Sequence, residues 1–157
     1  MFDTFLGLPV HALVLHAAVI GVPLAALITV VVSARAPWRE RWAGWVVLLN
    51  GAMVIVTFVT RQSGAALFKR LDSLGAADVA RHHRNLGLFL IWPMLVLFVL
   101  SLLIWFAVRQ GAAASVLTGL WVATLLVAGF TTFWTVWTGH TGSSAVWKNI
   151  IRSTNSG

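Results

Sequence analysis

The sequence predicts an all-α fold: a four-helix transmembrane bundle with a short amphipathic interfacial helix between helices 2 and 3. Three observations carry that expectation. Of 157 residues, 59% are apolar and 10% charged, whereas soluble domains carry roughly a quarter charged residues. Four stretches, Val10 to Ser33, Ala43 to Thr60, Leu86 to Val108 and Ala114 to Thr138, contain no charged side chain, and each is close to or above the roughly 20 residues a helix needs to cross hydrocarbon. The cations that give the net charge of +7 lie in the connectors between these stretches, where they suit lipid headgroups and set topology rather than forming a solvated face for nucleic acid. Residues 1–157 are read as a single integral membrane domain.

Each element has local chemistry behind it. Helix 1 begins at Pro9, whose missing N–H costs nothing in a first turn. The segment lacks the basic leader and short apolar run of a secretory signal, so it is expected to remain in the mature protein. Pro37 with Arg35, Arg39, Glu40 and Arg41 predicts a short polar hairpin into helix 2. The connector "RQSGAALFKRLDSLGAADVARHHRN", Arg61 to Asn85, sets Leu67, Leu71 and Leu74 at helical spacing beside Lys69, Arg70 and Asp72, the pattern of a helix lying on the membrane surface. Pro23 and Pro93 lie inside helices 1 and 3 and are expected to kink them, each freeing a carbonyl. Trp38, Trp42, Trp45 and Trp105 mark one interface and Trp92, Trp134, Trp137 and Trp147 the other, with Trp121 in the packed interior. No internal repeat stands out in the sequence.

An even number of crossings sorts the five histidines. His11 and His16 open helix 1, His82 and His83 precede helix 3, and His140 follows helix 4, so all five belong to one membrane face. His16 lies roughly 10 Å along the helix from Pro9, a depth at which an ionisable group is costly and is expected to face the bundle interior. His11 is about 140° around the helix from His16, so the two suit one wide cavity better than one small ion. Taken singly, each histidine is an ordinary amphipathic interfacial residue.

The remaining polar groups read as structural. Asn50 is expected to hydrogen-bond across to another helix, and Thr124, Thr131 and Thr132 to their own helix carbonyls. Gly87, Gly119 and Gly129 read as small-residue packing positions. All four carboxylates lie outside the spans, so no Ser–His–Asp constellation forms. The absence of cysteine rules out thiolate ligands, disulfides and thioether-linked haem. No nucleophile, carboxylate pair or phosphate loop marks the chain as an enzyme.

The segments "LPVHALVLHAAV", "SGAALFKRL", "HRNLG" and "GHTGSSAVW" together resemble a bacterial four-helix integral membrane domain of unknown function, over nearly the whole chain. The opening motif of that family reads Leu-Pro-x-His-Pro-x-x-Val-His and matches His11 and His16. Its histidine ahead of Leu-Gly corresponds to His83, and that of its closing Gly-His-Ser-Gly to His140. Ala12 stands where the family has Pro, and Leu15 where Val is common. Relatives fused to Rieske-type or cytochrome c-type modules imply a redox setting.

Three functional readings stay open. In the first, His11, His16, His83 and His140 bind a cofactor, either haem b between two imidazoles or a transition metal ion held by His16, His83 and His140, for electron transfer. Phe89, Trp92, Phe133, Trp134 and Trp137 are flat groups able to line a haem slot. In the second, the chain is a non-enzymatic membrane scaffold or partner subunit without cofactor. The third, a small transporter or proton conduit, ranks last because the spans hold no acid, no Lys or Arg and no inverted repeat. Expected partners are the lipid bilayer and a redox protein or another membrane subunit, with oligomers open. The expected location is the bacterial inner (cell) membrane. Seven of the eleven cations lie on the histidine face, which counts for the cytoplasm. The other four sit in shorter loops close to helix ends, and fusions of the resembling domain to extracytoplasmic cytochromes favour the histidine face outside, the orientation adopted here.

Overall fold

The computed structural model describes residues 4–5, 8–75 and 77–155. Two two-residue strands, β1 (Thr4–Phe5) and β2 (Leu8–Pro9), pair antiparallel ahead of helix α1 (Val10–Ala34). They are followed by α2 (Ala36–Ser73), α3 (Ala77–Phe89), α4 (Ile91–Arg109) and α5 (Ala114–Asn155). Four helical stretches, Val10–Ala34, Ala36–Ser73, Ala80–Arg109 and Ala114–Ser144, are long and apolar enough to cross a membrane. The protein is thus a multi-pass membrane bundle in which α3 and α4 share one span.

The turns follow from backbone chemistry. Arg35 alone, in extended conformation (φ −116°, ψ 128°), joins α1 to α2, with Pro37 in the first turn of α2. The Arg39 guanidinium donates back to the Ser33 carbonyl at 2.8 Å, one of the carbonyls left open at the end of α1. Gly75 (φ 71°) stops α2 and Gly111 (φ 63°) stops α4. At the second of these, Gly111 N–H donates to Val108 O and Ala112 N–H to Ala107 O, the paired bonds of a glycine-terminated helix end.

In the bundle α1 packs on α2 and α5, and α4 packs on the same two, so α1 and α4 stand diagonally opposed; α3 fits between α2 and α5 at one end. The centre is a cluster of Val22, Ala26, Met94, Leu97 and Ala128. Elsewhere many of the buried side chains are small or hydroxylated, including Ala18, Ala25, Thr29, Ser101, Thr124, Thr131 and Thr135. Lipid tails are as apolar as leucine, so helix association rests on close packing and hydrogen bonds, which small residues permit. Thr29, Thr124, Thr131 and Thr135 each donate to the carbonyl four residues back. Asn50, fully buried, donates from Nδ2 to Thr29 Oγ1 at 2.9 Å across α1 and α2, as its position in the sequence predicts. The outward faces carry Ile20, Leu24, Leu27, Leu48, Ile55 and Leu126, all exposed and suited to lipid contact.

The structure redraws several expected boundaries. Arg39, Glu40 and Arg41 belong to the first turns of α2 rather than to a loop, because a helix leaving the headgroup layer tolerates charge before it enters hydrocarbon. The segment around Leu67 and Leu71 is not a separate surface helix but the continuation of α2, which at 38 residues runs about 57 Å and outlasts the membrane. The short amphipathic helix of this connector is α3, which runs on into the third span. Pro23 sits within an uninterrupted α1, whereas the break before Pro93 falls at Leu90. Leu90 keeps helical dihedrals (φ −56°, ψ −27°), so the interruption is the bond that Pro93, with no N–H, cannot return to the Phe89 carbonyl. Gly119 and Gly129 have open space at the Cβ position; close approaches fall at other glycines, among them Gly21 against Met53 and Gly51 against Phe98.

Candidate functional site

A cavity of about 460 Å³ opens at the histidine end of the bundle, walled by α1, α2, α3 and α5. Its size falls in the range of cofactor and small-molecule pockets. Small residues hold it open: Ala12, Ala18, Gly64, Ala65, Ala80, Gly87, Gly139 and Gly142 all line it, among Leu15, Leu67, Phe68, Leu71 and Leu88. α2 and α5, at 38 and 42 residues, are much longer than one span needs, and with α3 they supply much of the lining.

Two histidines enter this cavity, His11 from α1 and His83 from α3. The His11 Nδ1 lies 3.2 Å from the Thr60 carbonyl oxygen, and the His83 Nδ1 lies 3.0 Å from that of Thr138. A carbonyl can only accept, so in both rings Nδ1 carries the proton. Nε2 is then left with its lone pair, the tautomer required of a ligand, whose second nitrogen commonly donates to a backbone carbonyl. The ring centres stand 6.2 Å apart with planes inclined at 65°.

The two imidazoles are held by the same device. On α2, Ser63 Oγ donates to Thr60 O at 3.0 Å and lies 3.3 Å from His11 Nδ1. On α5, Thr141 Oγ1 donates to Thr138 O at 2.8 Å and lies 3.4 Å from His83 Nδ1. The residue after each hydroxyl is glycine. A Cβ on Gly64 would meet His11 Cε1 at 3.0 Å, and one on Gly142 would meet His83 Cε1 at 2.8 Å. The match extends backwards, since Thr57 and Thr60, like Thr135 and Thr138, donate to carbonyls four residues earlier. The underlying segments are "TFVTRQSG", residues 57–64, and "TVWTGHTG", residues 135–142. The helix pair α1–α2 and the set α3–α4–α5 thus repeat one arrangement. In the sequence the correspondence is faint, since only Thr, Thr, Ser or Thr, and Gly match across eight positions.

The other predicted site residues lie elsewhere. His16 is exposed, and its Nδ1 donates to Ala12 O of its own helix at 2.8 Å. The cause is the 140° offset: once His11 turns inward toward α2, His16 turns away, contrary to the expected interior position. His140 and His82 are also exposed, and neither lines the cavity. Among the described residues no group of three or more His, Cys, Asp or Glu side chains is placed to hold a metal ion, so His16, His83 and His140 do not converge. Of the flat residues, Phe89, Trp134 and Phe130 pack on one another, with ring centres 4.8 to 6.3 Å apart. Trp134 Nε1 donates to Leu86 O. Of Phe89, Trp92, Phe133, Trp134 and Trp137, none lines the cavity; its one aromatic wall besides the imidazoles is Phe68. The residues missed by sequence reasoning, Thr60, Ser63, Gly64, Thr138, Thr141 and Gly142, are those that seat the imidazoles.

Compared with protein-family models, curated proteins and solved structures, the chain matches none.

Proposed function

We propose that the protein is a membrane electron carrier that binds haem b between His11 and His83. The observation that supports this reading is the paired, ligand-ready tautomer of two imidazoles sharing one cavity, each with Nδ1–H committed to a helix carbonyl. The two ring centres stand 6.2 Å apart in an edge-on arrangement, close enough for both imidazoles to serve one bound group.

Ligand count favours haem over a bare ion. Zinc, copper or non-haem iron takes three or four protein ligands, and the cavity offers two imidazoles and no carboxylate or thiol. A porphyrin would bring its own four nitrogens, so His11 and His83 would be enough to hold it, and the chemistry it would supply there is one-electron transfer. With no cysteine in the chain, attachment is non-covalent.

The chain's own contribution is positional. The Thr60 and Thr138 carbonyls fix both rings, the glycines leave them room, and the apolar walls exclude water from the site. The segments around His11, Ser63, His83 and Gly142 all reach this cavity. We place the protein in a bacterial cell membrane with the cavity end extracytoplasmic, exposed to a redox partner. Titration of detergent-purified apoprotein with haemin tests the reading. One-to-one saturation with a sharpened Soret band, lost in His11→Ala and in His83→Ala, is expected. An unsaturable, variant-independent titration overturns it.

A further inference from the structure

The cavity carries a second feature that the imidazoles do not use. Arg61 and Arg84 both line it. Each is joined in sequence to an imidazole seat: Arg61 follows Thr60, whose carbonyl holds His11, and Arg84 follows His83 itself. The one ion pair among the described residues is Arg81 with Asp78, so neither arginine has a carboxylate partner there. The Arg84 guanidinium lies 4.7 Å from the centre of the Phe68 ring. Its Nε is buried with no hydrogen-bond partner among the described residues, and such a donor is costly to leave unmade.

We infer that Arg61 and Arg84 form an anion clamp at the cavity mouth that takes the two carboxylates of the bound porphyrin. The inference rests on the haem reading above and names how the cofactor is oriented: carboxylates toward the rim, apolar edge toward Leu15, Val19 and Leu90. Guanidinium and carboxylate make paired, charge-assisted hydrogen bonds. A lipid phosphate offers similar oxygens, but the Arg84 Nε is buried and its residue lines the same cavity as the imidazoles, which favours a carboxylate carried by the group held there.

The test compares haemin with haemin dimethyl ester, whose carboxylates are masked, in wild-type protein and in R61Q/R84Q, in neutral detergent and in phosphatidylglycerol vesicles. Wild type is expected to bind the free acid about tenfold or more tighter than the ester in both media, and R61Q/R84Q to bind the two forms equally. Equal affinity of wild type for acid and ester overturns the clamp while leaving the haem reading intact. Discrimination that vanishes in the vesicles assigns the arginines to lipid phosphate and also overturns it. Failure of wild type to bind either form overturns the haem reading itself.

Discussion

His11 and His83 belong to α1 and α3, helices that are not neighbours in the bundle, yet their ring centres stand 6.2 Å apart inside one cavity. Each is oriented not by its own helix but by a carbonyl of another, Thr60 on α2 for His11 and Thr138 on α5 for His83. Substitution of either imidazole therefore removes half of the site. His11→Ala and His83→Ala are each expected to abolish six-coordinate haem binding, while His16→Ala and His140→Ala, at exposed positions, leave it within about twofold of wild type. Absorbance spectra of the four purified variants check this. Loss of binding in His140→Ala with retention in His11→Ala would contradict it.

Glycine at 64 and 142 is required by the rings, not by backbone conformation. A methyl at Gly142 would stand 2.8 Å from His83 Cε1, and at Gly64 3.0 Å from His11 Cε1. The Gly142 contact is too short to keep, so the His83 ring must shift off its carbonyl, and at Gly64 the His11 ring must give by a few tenths of an ångström. Gly64→Ala and Gly142→Ala are each expected to weaken haem binding by about ten- to a hundredfold, since overpacking of this kind costs about 1–3 kcal/mol. Gly119→Ala, with open space at that position, serves as the control. Haemin titration measures all three, and equal affinities would remove the glycines from the site.

Mid-bundle cohesion rests partly on one polar contact. Asn50 Nδ2 donates to Thr29 Oγ1 at 2.9 Å, and Thr29 passes its own proton to Ala25 O. Interhelical hydrogen bonds in membranes are worth about 0.6 kcal/mol on average and about 1.7 at most. Asn50→Leu is accordingly expected to lower unfolding stability in detergent by no more than about 1–2 kcal/mol. A loss of 4 kcal/mol or more on a denaturation curve would mean that Asn50 supports more than this contact, such as a buried water at its unpaired Oδ1.

Orientation has a direct readout. Four spans put the C-terminal end of α5 on the same side as the start of α1, the cavity side. Alkaline phosphatase fused after Trp147 is expected to be active, and green fluorescent protein at the same point dark. The reverse pair of signals would place the cavity in the cytoplasm.

Much of the fold was legible because a chain in lipid must close every backbone hydrogen bond within its own helix, so uncharged runs mark the spans directly. Helix ends were harder. Arg39 to Arg41 and Arg61 to Ser73 are polar, and polarity alone does not tell a loop from a helix that has left the hydrocarbon; Gly75, with its positive φ, is where α2 stops. The site was half legible. Counting crossings brought the histidines to one end, but side alone does not fix direction, and a 140° turn separates the inward His11 from the outward His16. The seats on α2 and α5 are written mainly in a backbone carbonyl and a missing methyl, which leave only a faint trace in sequence: four matched positions in eight, seen as a repeat once the two imidazoles show what those positions hold.

The central claim is that His11 and His83 ligate one haem iron. Its most direct test is the visible absorbance spectrum of protein purified from haem-replete cells, oxidised and then reduced with dithionite, with metal content measured on the same sample. The account predicts one iron per chain, a sharp Soret band that shifts on reduction, and resolved α and β bands of a six-coordinate low-spin haem. A spectrum showing only tryptophan absorbance, with no iron in the sample, would contradict it.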